Sequence, residues 1–210
     1  MVHSRSEIVF RDASGMQHPF VPVKPQEAKS ILAYNQIKFD LLEASEAFKK
    51  IQFYNEKNPD DASTMRHLFS SGIALYGRCI TTSESRGIHL NPQQIQKLGN
   101  EQYEIYKEME VLRHSHVAHA GKGRNATTVM ILLNPIGKPK VIVGVKALDM
   151  NFDPTNKSIA LKFSDHCLKL IEIVDRCISL AEKSLLKIYE KQNIEDLYRH
   201  AKGSFIVEQS

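Results

Sequence analysis

Tryptophan is absent and aromatic residues make up only 8% of the 210 residues, so a stacking platform for unpaired bases has no obvious source. No run approaches the roughly 18 apolar residues of a membrane span. The opening Met1–Ser6 lacks the apolar centre of a signal peptide. Cys79, Cys167 and Cys177 form no CxxC pair and no even framework, which argues for reduced, partly buried thiols and against zinc held by cysteine. These gaps lead us to expect a cytoplasmic protein with no membrane contact, no metal and no cofactor. The net charge of +4 is too small to announce a nucleic-acid binder, so the distribution of charge carries more weight than its total.

What is present is helical periodicity. Residues 1–25 hold Pro19, Pro22 and Pro25 and read as an irregular N-terminal arm, with short extended pieces around an Asp12–Gly15 turn. From residue 26 to about 56, Ile31, Leu32, Ile37, Leu41, Leu42, Phe48 and Ile51 recur at three-to-four spacing. Asn58-Pro59 then supplies an N-cap and a first-turn proline for a second helix that fades around Ser83–Gly87. Asn91-Pro92 repeats that signal and predicts one long third helix carrying Ile95, Leu98, Gln102, Ile105, Met109, Leu112 and His116, stopped by Gly121 and Gly123. The period then changes. Thr127–Leu133 and Lys140–Val145 are β-rich runs joined by six residues, a hairpin within about 126–147. A last helix is expected from about Asn156 to Gln192, then a C-terminal tail over 193–210 with a short helix near Ile194–His200. The fold class expected is mainly α: an antiparallel four-helix bundle over residues 26–192, with the hairpin inserted before the last long helix.

Functional side chains are densest at Leu112-Arg113-His114-Ser115-His116-Val117-Ala118-His119-Ala120-Gly121. Along a helix Arg113 and His119 lie about 9 Å apart by rise, a gap a guanidinium arm can largely cover. The cluster opens a window, Val111 to Leu148, that holds no Asp or Glu but contains Arg113, Lys122, Arg124, Lys138, Lys140 and Lys146. At the chain's average acidic content about four carboxylates would be expected there. Such a patch attracts phosphate groups. The plainer account is that hairpin strands disfavour acidic residues.

Arg113-His114-Ser115-His116-Val117-Ala118-His119 resembles the R-x(4–6)-H motif of the HEPN superfamily, with a polar residue directly after the arginine. The surrounding LRHSHVAHA resembles the endings of HEPN-like proteins of the bacterial defence and abortive-infection type. Ala74 to Gly87, ALYGRCITTSESRG, is similar to a YARCFTS segment of one such group. The resemblance spans roughly residues 26–190. It implies a metal-independent ribonuclease, a toxin-like hydrolase acting as a homodimer with two copies of the motif facing each other. His119 would activate a ribose 2′-hydroxyl, Arg113 would neutralise the phosphate, and the product would be a 2′,3′-cyclic phosphate. Imidazole near its ordinary pKa can accept that proton at neutral pH, and a guanidinium fork matches phosphate oxygens. His114, Ser115 and His116 would assist, and Lys122, Arg124, Arg78 and Tyr76 are weaker candidates for phosphate or RNA contacts. Where HEPN toxins paired with nucleotidyltransferase antitoxins carry tyrosine two places after the histidine, this chain has Gly121, so control through that tyrosine is not implied.

The motif by itself is loose. Arg11 and His18 satisfy it too, but Gly15 and Pro19 keep that stretch out of a helix. A metal site is disfavoured, since only His116 and His119 share a helix face and no carboxylate lies near them in sequence. Lys162, Lys169, Arg176 and Lys183 repeat every seven residues, but interleaved Asp165, Glu172, Asp175 and Glu182 make that face a solvated, ion-paired one. The alternative function is a non-catalytic RNA- or protein-binding or dimerisation module. In that case His116 is a core histidine, and Arg113 and His119 are cations complementing a helix C-terminus.

Overall fold

A computed structural model of the chain describes residues 4–82, 86–114, 126–150, 153–203 and 205–209. It is mainly helical. In order the elements are β1 (Ser4–Ile8), α1 (Lys29–Lys50) with a 3-10 turn at Ile51–Phe53, α2 (Pro59–Ile80), α3 (Pro92–Gln96), α4 (Asn100–Leu112), β2 (Ala126–Leu133), β3 (Ile142–Met150), α5 (Lys157–Tyr189), α6 (Ile194–His200) and β4 (Phe205–Gln209). The strands form two separate antiparallel pairs, β1 with β4 and β2 with β3. The chain divides into two compact units, one of residues 33–176 and one of residues 1–32 with 177–210.

In the larger unit, helix starts follow their caps. Asn58 accepts the Asp60 amide with its side chain and Pro59 takes the first turn, where a missing N–H costs nothing. Asn91 and Gln94 form a reciprocal capping box at the start of α3. The third helix, however, is not one helix. Gly99, at φ +105° and ψ +164°, breaks it after Gln96 and serves as the N-cap of α4. Only glycine adopts that backbone without penalty. The stripe misled because the break preserves its sense: Ile95 before it and Gln102, Ile105, Met109 and Leu112 after it are all buried.

The core of this unit centres on Phe48 of α1, Phe69 of α2 and Phe163 of α5, with ring centroids 5.6 to 5.9 Å apart. The two edge-on pairs, Phe48 with Phe69 and Phe48 with Phe163, add about 0.5–1.5 kcal/mol each beyond the area they bury. Ile37, Leu41, Ile73, Met109, Leu170 and Val174 complete it without exposed surface. Between α1 and α5 the hydroxyls of Ser45 and Ser164 meet at 2.8 Å and each reaches the other's carbonyl, so neither buried hydroxyl lacks a partner.

The hairpin is longer than expected. β3 runs on to Met150 and the connection holds residues 134–141, because the Asn134 amide bonds the Val141 carbonyl and a turn with Gly137 at φ +91° lies inside. At its tip Ile131, Leu133, Ile136, Ile142 and Val143 are all exposed, Ile136 completely.

In the smaller unit, the segments read as an arm and a tail pair with each other. Ser4–Ile8 runs antiparallel to Phe205–Gln209, a strand that five residues without clear alternation did not announce. Phe20 and Lys202 exchange both backbone hydrogen bonds, and Gln17 donates to the Gly203 carbonyl. The Asp12 carboxylate accepts from Ser14 and Met16 amides and Gly15 sits at φ +84°, so the Arg11–His18 stretch is a tight turn rather than a helix. The last long helix ends at Tyr189, three residues before the expected limit, and Asn193 caps α6.

Candidate functional site

The end of α2 and the end of α4 come together. A helix leaves its last four carbonyls without partners, and at α2 three of these are met. Thr81 donates its hydroxyl to the Gly77 carbonyl at 2.6 Å, Arg86 donates to the Arg78 carbonyl at 2.9 Å, and the Leu90 amide donates to the Cys79 carbonyl at 2.8 Å. Arg86 is itself buried, with its guanidinium 2.6 Å from the buried Asp40 carboxylate on α1, which also forms an ion pair with Arg78 at 3.3 Å. The terminus of α2 is thus tied to α1 by a two-arginine, one-carboxylate cluster.

Arg113 follows α4 directly. The chain stays helical there (φ −58°, ψ −48°), and the turn through Arg113 and His114 widens to π geometry. Single π turns within α-helices recur at functional positions. The Arg113 side chain is half-buried and lies across Gly77: a Cβ built on that glycine would stand 2.5 Å from Arg113 Cδ and 2.7 Å from its Nε. Among the described residues, Arg113 forms no ion pair with a carboxylate. On α4 just before it, a groove of about 480 Å³ is lined by Glu104, Lys107, Glu108, Val111 and Leu112. Its charges are internally matched, Lys107 to Glu104 at 2.6 Å and Glu108 to Lys162 at 2.8 Å.

One residue along from Gly77, the Tyr76 ring is fully buried and its hydroxyl meets His166 Nε2 of α5 at 3.2 Å. The other ring nitrogen, Nδ1, meets Gln102 Oε1 of α4 at 2.8 Å. The arrangement is satisfied by a neutral imidazole that donates from Nδ1 to Gln102 and accepts the tyrosine proton at Nε2. Burial, reinforced by Lys169 and Lys162, pushes the His166 pKa down to about 4. Burial likewise drives the Tyr76 hydroxyl well above its usual range. Both groups are therefore uncharged at neutral pH. They form a bracket joining α2, α4 and α5.

The residues expected in a site fare differently. Arg113 is half-buried and His114 is exposed. Ser115, His116, His119, Lys122 and Arg124 lie outside the described residues. Tyr76, expected as a weak RNA contact, has no exposed surface and belongs to the core bracket. Arg78 keeps an exposed side chain but is engaged by Asp40. Lys162 pairs with Glu108, and Asp175 with Lys38 at 2.7 Å, in keeping with an ion-paired face on α5. Asp40 and His166 were not named from sequence, and Gly77, Arg86 and Gln102 were named only within a quoted segment or an apolar stripe, not as site residues. A glycine inside a strongly helical run was the one available signal, since it costs about 1 kcal/mol against alanine there and calls for a packing reason.

Cys79 and Cys167 are buried thiols, and burial pushes Cys79 up to about 12, so it stays protonated and inert at neutral pH. Among the described residues there is no group of three or more His, Cys, Asp or Glu placed to hold a metal ion. No helix among them is long and apolar enough to cross a membrane. No family model, curated protein or solved structure matches the chain.

Proposed function

We propose that the chain is a HEPN-like domain acting as a metal-independent endoribonuclease, with Arg113 on the scissile phosphodiester and His119 as general base. His119 takes the proton from the ribose 2′-hydroxyl and the freed oxygen attacks phosphorus. The bond to the 5′-oxygen breaks and the departing alkoxide takes a proton from water, leaving a 2′,3′-cyclic phosphate and a 5′-hydroxyl. Arg113 neutralises the charge that builds on the non-bridging oxygens, the step at which a fixed cation is worth most. On this reading α1, α2, α4 and α5 are the four helices of an antiparallel bundle. The molecule works in the cytoplasm of a bacterium as a toxin-like homodimer in defence, the two motifs facing each other.

One observation carries the reading. The arginine that opens the motif stands at the end of a core helix, half-exposed on a bed of glycine, without a carboxylate partner among the described residues. A cation held this way is available to an anion, whereas Arg86 and Arg78 already have an anionic partner in Asp40. The test is incubation of the purified protein with mixed-sequence RNA in EDTA. Parent protein is expected to leave cyclic-phosphate ends, and Arg113→Ala and His119→Ala each to lose about 10²–10⁴-fold in rate. Cleavage that depends on a divalent ion, or that survives both substitutions, would overturn the proposal.

The second reading, a non-catalytic binding module, draws on a separate feature. The hairpin tip exposes Ile131, Leu133, Ile136, Ile142 and Val143 together, beside Lys138 and Lys140. Exposed apolar side chains gathered at one end of a hairpin are candidates for a contact site. RNA retention without cleavage would favour it.

A further inference from the structure

We infer that Gly77 is a positioning residue for Arg113: its missing Cβ lets the guanidinium arm lie flat on α2, which sets where that charge is presented. The consequence for RNA rests on the ribonuclease reading, but the geometry stands apart from it.

Three observations support the assignment. The fit is tight along the arm, since a Cβ at position 77 would stand 2.5 Å from Cδ, 2.7 Å from Nε and 3.1 Å from Cγ of Arg113. Real Cβ atoms do not sit that close, so any other residue at 77 pushes the arm aside. The surroundings are also fixed. Tyr76 and Gln102 both bond the buried His166, which brackets α2, at the residue next to Gly77, to α4 about three turns before Arg113. The carbonyl of Gly77 itself is held by Thr81, and the next two carbonyls by Arg86 and Leu90. The end of α2 is therefore held in place. What yields is the arginine, whose outer torsions are soft and which is only partly buried. A larger residue at 77 is therefore expected to move the charge and leave the fold in place.

The test is Gly77→Ala in the full chain. Its melting temperature should equal or exceed the parent's, because alanine favours the helix. Cleavage of a fluorescein-labelled mixed-sequence RNA in EDTA should fall about ten- to a hundredfold, mostly in kcat, the scale that roughly 1 Å of misplacement costs. Affinity for a non-cleavable 2′-O-methyl version should weaken too, and that loss should vanish in an Arg113→Ala background, because no arm is left to displace. Unchanged cleavage, or an affinity loss that persists in full without Arg113, would overturn the assignment. Should the parent cleave no RNA, the ribonuclease reading falls by itself. The role of Gly77 is then decided by nuclear Overhauser contacts between its α-protons and the Arg113 δ-protons. Their presence in the parent and loss on adding the methyl supports positioning, and their absence in the parent refutes it.

Discussion

Gly72 and Gly77 lie on the same helix, and each makes room for a side chain from another helix, yet they serve different ends. A Cβ at Gly72 would stand 2.7 Å from the Phe48 ring, and one at Gly77 would stand 2.5 Å from the Arg113 arm. Phe48 has no exposed surface and is wedged between Phe69 and Phe163, so its ring has nowhere to go. Arg113 is half-exposed and can swing. The same omission therefore protects packing at one place and aims a charge at the other. A residue's role in a fold is set by whether its neighbour can move.

That contrast can be broken in several ways. The largest effect is expected where the Gly77 end of α2 is anchored. Asp40→Ala leaves the guanidinium of Arg86 buried without its anion, at an expected cost of about 3–5 kcal/mol in urea unfolding. A cost under about 1 kcal/mol would mean that the end of α2 is not held by this cluster.

Acid should loosen the bracket next. His166 has a folded-state pKa near 4 against an ordinary 6.5, so between those values the unfolded chain binds the proton and the folded chain does not. Stability is then fully present above about pH 6.5 and falls as pH drops toward 4, by an order of 3 kcal/mol. A His166→Gln variant should show a flatter stability profile over that window. An unchanged slope would assign the acid sensitivity to other groups.

The smallest effect bears most directly on the two glycines. Gly72→Ala should cost about 1–3 kcal/mol through overpacking, whereas Gly77→Ala should leave stability within about 1 kcal/mol of the parent or raise it. Thermal unfolding of both decides it, and equal losses would erase the distinction.

Local signals were legible in the chain. The two Asn-Pro starts at 58–59 and 91–92, the helices built on spaced apolar residues, and the switch to strands after residue 125 follow from backbone chemistry within a few residues. Short signals failed where two local choices were nearly equal. Gly99 was absorbed into a stripe because the short break over residues 97–99 leaves buried apolar positions on both sides of it. β4 went unseen because a five-residue strand is defined by its partner, Ser4–Ile8, some two hundred positions earlier. Within the candidate site, Arg113 stood out by the company it keeps in sequence, but the burial of Tyr76 and the engagement of Arg78 did not.

By itself the sequence determined that the protein is mainly helical, that helices start at the two Asn-Pro pairs, and that Arg113 is followed in the chain by a cluster of histidines. Only the tertiary structure decided that Gly77 and Arg113 meet, that His166 ties together the helices bearing them, and that Asp40 pairs with Arg78 and Arg86. The reason is physical. Caps and periodicity act over a turn or two of backbone, whereas the partner of a charge, and the room left for an arm, depend on which distant helix lies alongside.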